Sequence, residues 1–302
     1  MALDPHTARF LLYAKRLGVD FSQSAMIGRQ SLMLNLFGLE RSLIEFGLPF
    51  DDQALQHILE EGEGYAEGFL RYLGADDVHS FDRSDYEGAT DLLDLNQEIP
   101  ERYSERYSMV LDGGSLEHVF NFPVAIKNCL EMVQVGGHYL ATSPMNNFVG
   151  HGFYQFSPEL YSSIFSEVNG YQLVSMLVHE ETPLAKWFSV VDPASVGARV
   201  SLINKVPTII MVIAKRIQKT QIFEAAPQQI YYARKWDEPS EDISHGRSSP
   251  LRMFTTLIPA SLKRFMRRRL EQRLGHDESG FDPRFFQPME PADSIDKLKS
   301  FP

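Results

Sequence analysis

The sequence predicts a doubly wound α/β sheet, mostly parallel, with an antiparallel hairpin at one edge. Three observations predict it. The stretch Tyr107–Pro144 reads strand, amphipathic helix, strand, and a parallel strand pair needs such a helical crossover. Short apolar runs alternate with helical patterns from about residue 20 to residue 215, which is the signature of an α/β domain. Three successive apolar runs end on an acid, at Asp82, Asp94 and Asp112. In open parallel sheets ligands bind outside the carboxyl ends of the strands, so these acids are candidate site residues from position alone.

Taken in order, residues 1–19 form an N-terminal helix unit, with Phe10, Leu11, Tyr13 and Ala14 near one face of a helix over 5–17. Ser24-Ala25-Met26-Ile27 is the first strand and leads into Gly28-Arg29-Gln30. Residues 36–73 are helical in pattern, broken at Phe46-Gly47-Leu48-Pro49. Val78–Phe81, Ala89–Leu93 and Met109–Leu111 follow as strands. A helix then leads to Gly136-Gly137, read as a turn, and to a strand over Tyr139–Thr142. Ser157-Pro158-Glu159 opens another helix with a cap and a first-turn proline. Tyr171–Val178 and Thr208–Ala214 complete the strands, and their different spacing marks them as the antiparallel hairpin. Residues 216–302 are an extension in which 250–274 form a basic helix, and its proline-bearing tail is not expected to fold independently.

Composition narrows the function classes. The 29 Lys and Arg against 40 Asp and Glu give a net charge of −11, so a nucleic-acid partner is not expected. The single cysteine, Cys129, excludes an intrachain disulfide and fits a cytoplasmic location; its place on the apolar side of its helix makes it a core residue. No apolar run reaches the roughly 20 residues of a membrane span, and the first residues lack the layout of a signal peptide. The nine His are scattered without ligand spacing, so no metal site is expected. Gly113-Gly114-Ser115-Leu116-Glu117 lacks the second glycine of a serine nucleophile elbow.

Over residues 20–215 the chain resembles the class I S-adenosylmethionine-dependent methyltransferases, in particular their type 11 branch. The motifs that carry the likeness are Leu111-Asp112, Leu116-Glu117-His118-Val119 and Gly136-Gly137. The resemblance implies a Rossmann-like fold and S-adenosylmethionine as cofactor. It implies that Asp82 accepts hydrogen bonds from the cofactor's ribose hydroxyls, as a carboxylate can accept both at once. Asp94 would accept from the adenine amine, while Asp112 and Gly113 would border the methionine moiety and the mouth of the acceptor site. The chain departs from the family at the first strand, where a Gly-x-Gly-x-Gly loop is replaced by Gly28-Arg29-Gln30 with one glycine. Either Arg29 or Gln30 contacts the cofactor's carboxylate directly, or the pocket has been lost and the fold serves another end. Gly28 and Asp82 are also about 50 residues apart, against roughly 30 for a compact βαβ unit, so a helical insertion lies within about 32–65.

The loop Asn146–Pro158 follows the strand after Asp112 and so overlies the same sheet edge. Methyl transfer to a hydroxyl needs an aligned nucleophile and a base near neutral pKa, which makes His151 the first catalytic candidate, His118 the second and Glu117 the third. Tyr154 and Gln155 are candidates for holding a small-molecule or glycan acceptor. The residues Leu262–Leu270 carry five basic side chains among apolar ones. Such a helix either lies peripherally on an anionic membrane or packs its apolar face on the domain. The alternative function is accordingly a non-catalytic module that binds a protein partner or a membrane through 250–274.

Overall fold

Strand residues alternate between two cores, one on each face of the sheet. Ala25, Ile27, Val110, Tyr139, Ala141, Ile210 and Val212 pack in one cluster, and Met26, Met109, Leu111, Leu140, Met211 and Ile213 in the other. A strand buried on both faces reads as a continuous apolar run, which is why the central strands were so plain in the sequence. The computed structural model describes residues 2–196, 200–230 and 280–292. The chain runs β1 (Ala2–Leu3), α1 (Pro5–Arg16), β2 (Gln23–Ile27), β3 (Ser31–Leu32), α2 (Leu36–Glu45), α3 (Asp52–Glu60), α4 (Glu67–Tyr72), β4 (Asp77–Asp82) and β5 (Asp91–Leu92). It continues with β6 (Tyr107–Asp112), α5 (Phe122–Met132), β7 (Val133–Asn146), α6 (Pro158–Ile164), β8 (Tyr171–Glu180), β9 (Trp187–Val190), α7 (Pro193–Val196), β10 (Thr208–Arg216) and β11 (Phe286–Met289).

Among the described residues the main sheet has nine strands in the order β11-β9-β8-β10-β7-β6-β2-β4-β5. The run β7-β6-β2-β4-β5 is parallel. β10 is antiparallel to both β7 and β8, so it lies between them. This is the mostly parallel, Rossmann-like α/β architecture, with its antiparallel hairpin. The chain leaves β2 for β4 and β5 on one side and returns to β6 on the other. The switch point, where α/β sheets open a crevice for ligands, therefore falls between β2 and β6.

One face is covered by α5 and α6, the other by α1 and the insertion. α2 and α3 start at Asn35 and Asp51, whose side chains accept from the backbone N–H of Gly38 and Ala54, and they bury Leu39, Leu43, Leu55 and Ile58. α1 starts at Asp4, which caps the N–H of Thr7. β1 pairs in parallel with β3, which ties the N-terminal residues to the segment just after Gly28-Arg29-Gln30.

Four expectations are corrected in detail. The strand over 89–93 shrinks to Asp91–Leu92. Gly136-Gly137 is no turn between elements, because β7 runs unbroken from Val133 through both glycines to Asn146. The hairpin is not the sheet edge: β9 and β11 extend the sheet beyond β8. The tail is folded in part, since Phe281, Phe285 and Phe286 are buried and β11 pairs with β9; Pro283 and Pro288 had masked that apolar pattern. Cys129 is a buried core residue, as expected, and burial pushes its thiol pKa up. The basic helix expected over 250–274 lies outside the described residues. No helix among the described residues is long and apolar enough to cross a membrane.

The two glycines of β7 differ in what they do. Gly136 has φ +88 and open space where a Cβ would stand, whereas a Cβ on Gly137 would lie 2.7 Å from the Ser108 carbonyl oxygen of β6. Gly137→Ala therefore forces the β6–β7 backbones apart and is expected to destabilise the fold by about 1–3 kcal/mol in urea denaturation. An unchanged midpoint would contradict this close approach.

Candidate functional site

The end of β6 is a rigid, buried turn. Asp112 is fully buried; its carboxylate accepts from the N–H of Ser115 at 2.8 Å, the N–H of Leu116 at 3.3 Å and the Tyr139 hydroxyl at 3.3 Å. The Ser115 hydroxyl donates to the Ile27 carbonyl of β2, and Gly114 takes φ +93. The turn then winds through the short 3-10 segment Leu116–His118. Asp112 thus caps this turn from beneath, and loss of solvation raises its pKa to about 6.

That turn presents Glu117, which is only 1% exposed, to the residues of the 146–157 loop. Its Oε1 lies 3.5 Å from His151 Nε2 and 4.0 Å from His118 Nε2, and its Oε2 has no hydrogen-bond partner. Burial, and then the neighbouring Asp112 charge, push the Glu117 carboxyl up to about 8. Burial pulls His118 down, and the nearby His151 adds to the shift. The backbone N–H groups of Phe153 and Tyr154 both donate to the Glu117 carbonyl, so the loop is stitched to the turn. A Cβ on Gly152 would stand 2.8 Å from that same carbonyl oxygen, which explains a glycine there. Tyr154 donates from its hydroxyl to the Phe120 carbonyl at 2.6 Å, and Gln155 Oε1 accepts from the Phe148 N–H at 2.8 Å. Both side chains brace the loop. Outside it, Phe120 and Phe153 are exposed and meet edge to face.

A cavity of about 340 Å³ opens over Gly113, Gly114, Glu117, Thr142 and His151. Its far wall is made by Asp4 and Thr7 at the start of α1 and by His179 and Glu181 from β8 and just beyond. Those residues carried no signal in the sequence because they meet only across the folded sheet. The wall is held by a ring stack of His6 on His179 at 4.1 Å. Trp187 Nε1 donates to His6 Nδ1 at 3.1 Å, so His6 Nε2 bears the proton and donates to the Thr182 carbonyl at 2.8 Å. Burial lowers His179 to about 4, leaving it neutral at pH 7.

The residues proposed for the cofactor are arranged less openly. Gly28 takes φ +72 and donates its N–H to the Phe81 carbonyl. Arg29 turns away: its guanidinium pairs with Glu67 at 2.7 Å, donates to the Glu87 carbonyl at 3.0 Å and lies 4.0 Å over the Tyr65 ring. Gln30 is fully buried at the switch point, and its Nε2 donates to the Ile27 carbonyl at 2.8 Å and approaches the Gly28 carbonyl at 3.4 Å. Its Oε1 has no partner and would stand 2.6 Å from a Cβ on Gly113. Asp82 accepts from the Ser84 N–H at 3.2 Å. Asp94 pairs with Arg83 and accepts from Asn96, whose hydrogen bonds hold it below the usual carboxylate range. The three aspartates share no partner, and Asp112 lies beneath the crevice floor.

S-adenosylmethionine fits this edge on one condition, that the Gln30 carboxamide moves. The Ile27 and Gly28 carbonyls that Gln30 now engages are acceptors for a cofactor ammonium, which has donors to spare, and the Asp82 carboxylate keeps acceptor capacity for a ribose diol. Although no metal site was expected from the sequence, Glu117, His118 and His151 bring one ligand atom each within 4.8 Å of one another. His151 arrives from a separate loop, so no local spacing could announce it.

No protein-family model matches the chain, and no curated protein sequence matches it. Its fold is similar to that of solved methyltransferase-type structures. A protein provisionally described as a methyltransferase from Bacillus halodurans C-125 is 10% identical over 71% of this chain and 99% of its own, at a TM-score of 0.41. The YcgJ protein of Bacillus subtilis is 10% identical over 70% of this chain and 99% of its own, at 0.37. A geranyl diphosphate methyltransferase, solved with S-adenosylmethionine, is 15% identical over 71% of this chain and 86% of its own, at 0.35. At such scores the likeness carries no weight for function.

The buried carboxyls make stability fall as pH rises. Glu117 and Asp112 titrate near 8 and 6 in the fold against about 4 unfolded, so the native state holds more protons between those values. Their favourable contribution is full below about pH 4 and is lost as pH climbs through about 8. With chelator present, the melting temperature of the protein is expected to drop between about pH 6 and 8.5, and Glu117→Gln is expected to flatten that slope. Equal slopes in the two proteins would contradict the burial of an ionisable Glu117.

Proposed function

We propose that the chain is an S-adenosylmethionine-dependent methyltransferase acting on a small-molecule or glycan acceptor, at oxygen, in the cavity beside Glu117. The observation that supports it most is position. Gly113 lies against Gln30 at the switch point of the sheet and also lines the cavity, so one turn adjoins both the place where parallel sheets take ligands and a cavity holding candidate bases. The cofactor would supply a methyl group on a sulfonium. The residues of the chain do the rest. Glu117, raised toward neutral pH, is matched to taking a proton from an acceptor hydroxyl, and His151 stands within reach to relay it. Met33 and Phe148, which line the cavity, offer apolar surface for the body of the acceptor.

The buried Gln30 favours a second reading, in which the crevice stays shut and the fold is a non-catalytic module. Calorimetric titration with S-adenosylmethionine and S-adenosylhomocysteine separates the two. The methyltransferase reading expects binding to the native chain, strengthened several-fold in Gln30→Ala because less must be displaced. Absence of heat and of thermal shift at millimolar ligand in both proteins would remove it, since a ligand of the native state must stabilise that state.

A further inference from the structure

We infer that Glu117, His118 and His151 bind one divalent transition-metal ion of the zinc and iron class. The donor set is two imidazoles and a carboxylate, the combination such ions take when they keep coordination positions open. The three donor atoms lie within 4.8 Å of one another, and the two imidazole Nε2 atoms stand 3.5 and 4.0 Å from the same oxygen of Glu117. Ligands at about 2.1 Å from one ion sit roughly 3.0–3.5 Å apart, so the two His–Glu117 gaps close by about 1 Å or less and the widest gap by roughly 1.5 Å, shared between the two rings.

The parts that must move are free to do so. His118 and His151 have side chains 41% and 47% exposed, and among the described residues neither ring makes a hydrogen bond. Glu117 is the fixed part, held by the capped turn beneath it and by the Phe153 N–H on its carbonyl. An independent observation points the same way. The Oε2 of Glu117 is buried without a hydrogen-bond partner among the described residues, an unsatisfied polar atom that a bound cation would engage. The cavity also favours a cation: Asp4 and Glu181 line it beside Glu117, and among the described residues no Lys or Arg does. Three protein ligands leave room on the ion for water or for an oxygen-bearing ligand in the cavity. The site shares Glu117 and His151 with the proposed acceptor cavity, so a bound ion would take these side chains from the proton-relay role, while the cofactor reading at Gln30 is untouched.

The test uses the full chain, stripped with chelator and desalted, titrated with Zn²⁺ by calorimetry and with Co²⁺ by visible absorption. No adenosyl ligand is present, so the outcome is separable from the fate of the methyltransferase reading. Zinc is expected to bind at about one ion per chain, with affinity falling at least about tenfold in each of Glu117→Gln, His118→Ala and His151→Ala. The Co²⁺ ligand-field bands should disappear in the same three variants, while His57→Ala, at a distant exposed position, should leave both readouts unchanged. The two His variants alter half-exposed side chains, so melting curves verify that they are folded. Failure of zinc to bind at about 100 μM, or binding that survives both His variants, overturns the site.

Discussion

The contact on which the functional account turns is the carboxamide of Gln30 lying over Gly113. It sits at the switch point of the sheet, donates to the carbonyl at the end of β2, and leaves no room for a side chain on the first residue after β6. A Gly-x-Gly-x-Gly loop would have kept this space clear for a ligand's backbone approach. Here one side chain fills it. The hold is weak, however. An amide donor bond contributes about 1 kcal/mol net, and the unpartnered Oε1 costs about 1–3 kcal/mol, so the amide gains little by staying. A cofactor ammonium offers the same carbonyls a charged donor, which is the stronger kind of hydrogen bond. The plug is therefore of a sort that a ligand can displace.

Around that contact the turn after β6 separates the Gln30-filled switch point from the cavity over Glu117. β6 ends in a turn locked by Asp112 and Ser115, and the turn faces the crevice through Gly113 and the cavity through Glu117. The roof of the cavity comes from the start of α1, fixed through His6 to Trp187 and Thr182. α1 in turn is anchored by the same apolar face that was visible as Phe10, Leu11, Tyr13 and Ala14. The packing of the N-terminal helix thus reaches the cavity directly, because its first turn is part of the cavity wall.

The parts of this arrangement that could be read in the sequence are those set by local period. Continuous apolar runs marked β2, β6 and β10, and Ser157 with the proline after it marked the start of α6. Glu117, His118 and His151 were legible as candidates because two of them follow a strand end directly and the third lies in a glycine-flanked loop. What could not be read depends on contacts between distant segments. β9 and β11 are short strands that form by pairing across a long sequence gap, β11 on β9 and β9 in turn on β8. Arg29 looked free for a cofactor carboxylate, but Glu67 and Tyr65 of the insertion claim it. Asp112 was legible as an acid at a strand end, but its full burial and its hold on the Ser115 and Leu116 N–H groups come from the folded turn. Asp4, His179 and Glu181 join the cavity through tertiary packing alone.

The most direct measurement is an amide NMR titration of the isotopically labelled chain with S-adenosylhomocysteine, following the side-chain amide pair of Gln30. If the carboxamide is a displaceable occupant of the crevice, that pair shifts or broadens at saturation, together with the backbone amides of Gly28, Asp82 and Gly113. A Gln30 resonance that stays fixed at millimolar ligand, with those backbone amides unmoved, would contradict the account.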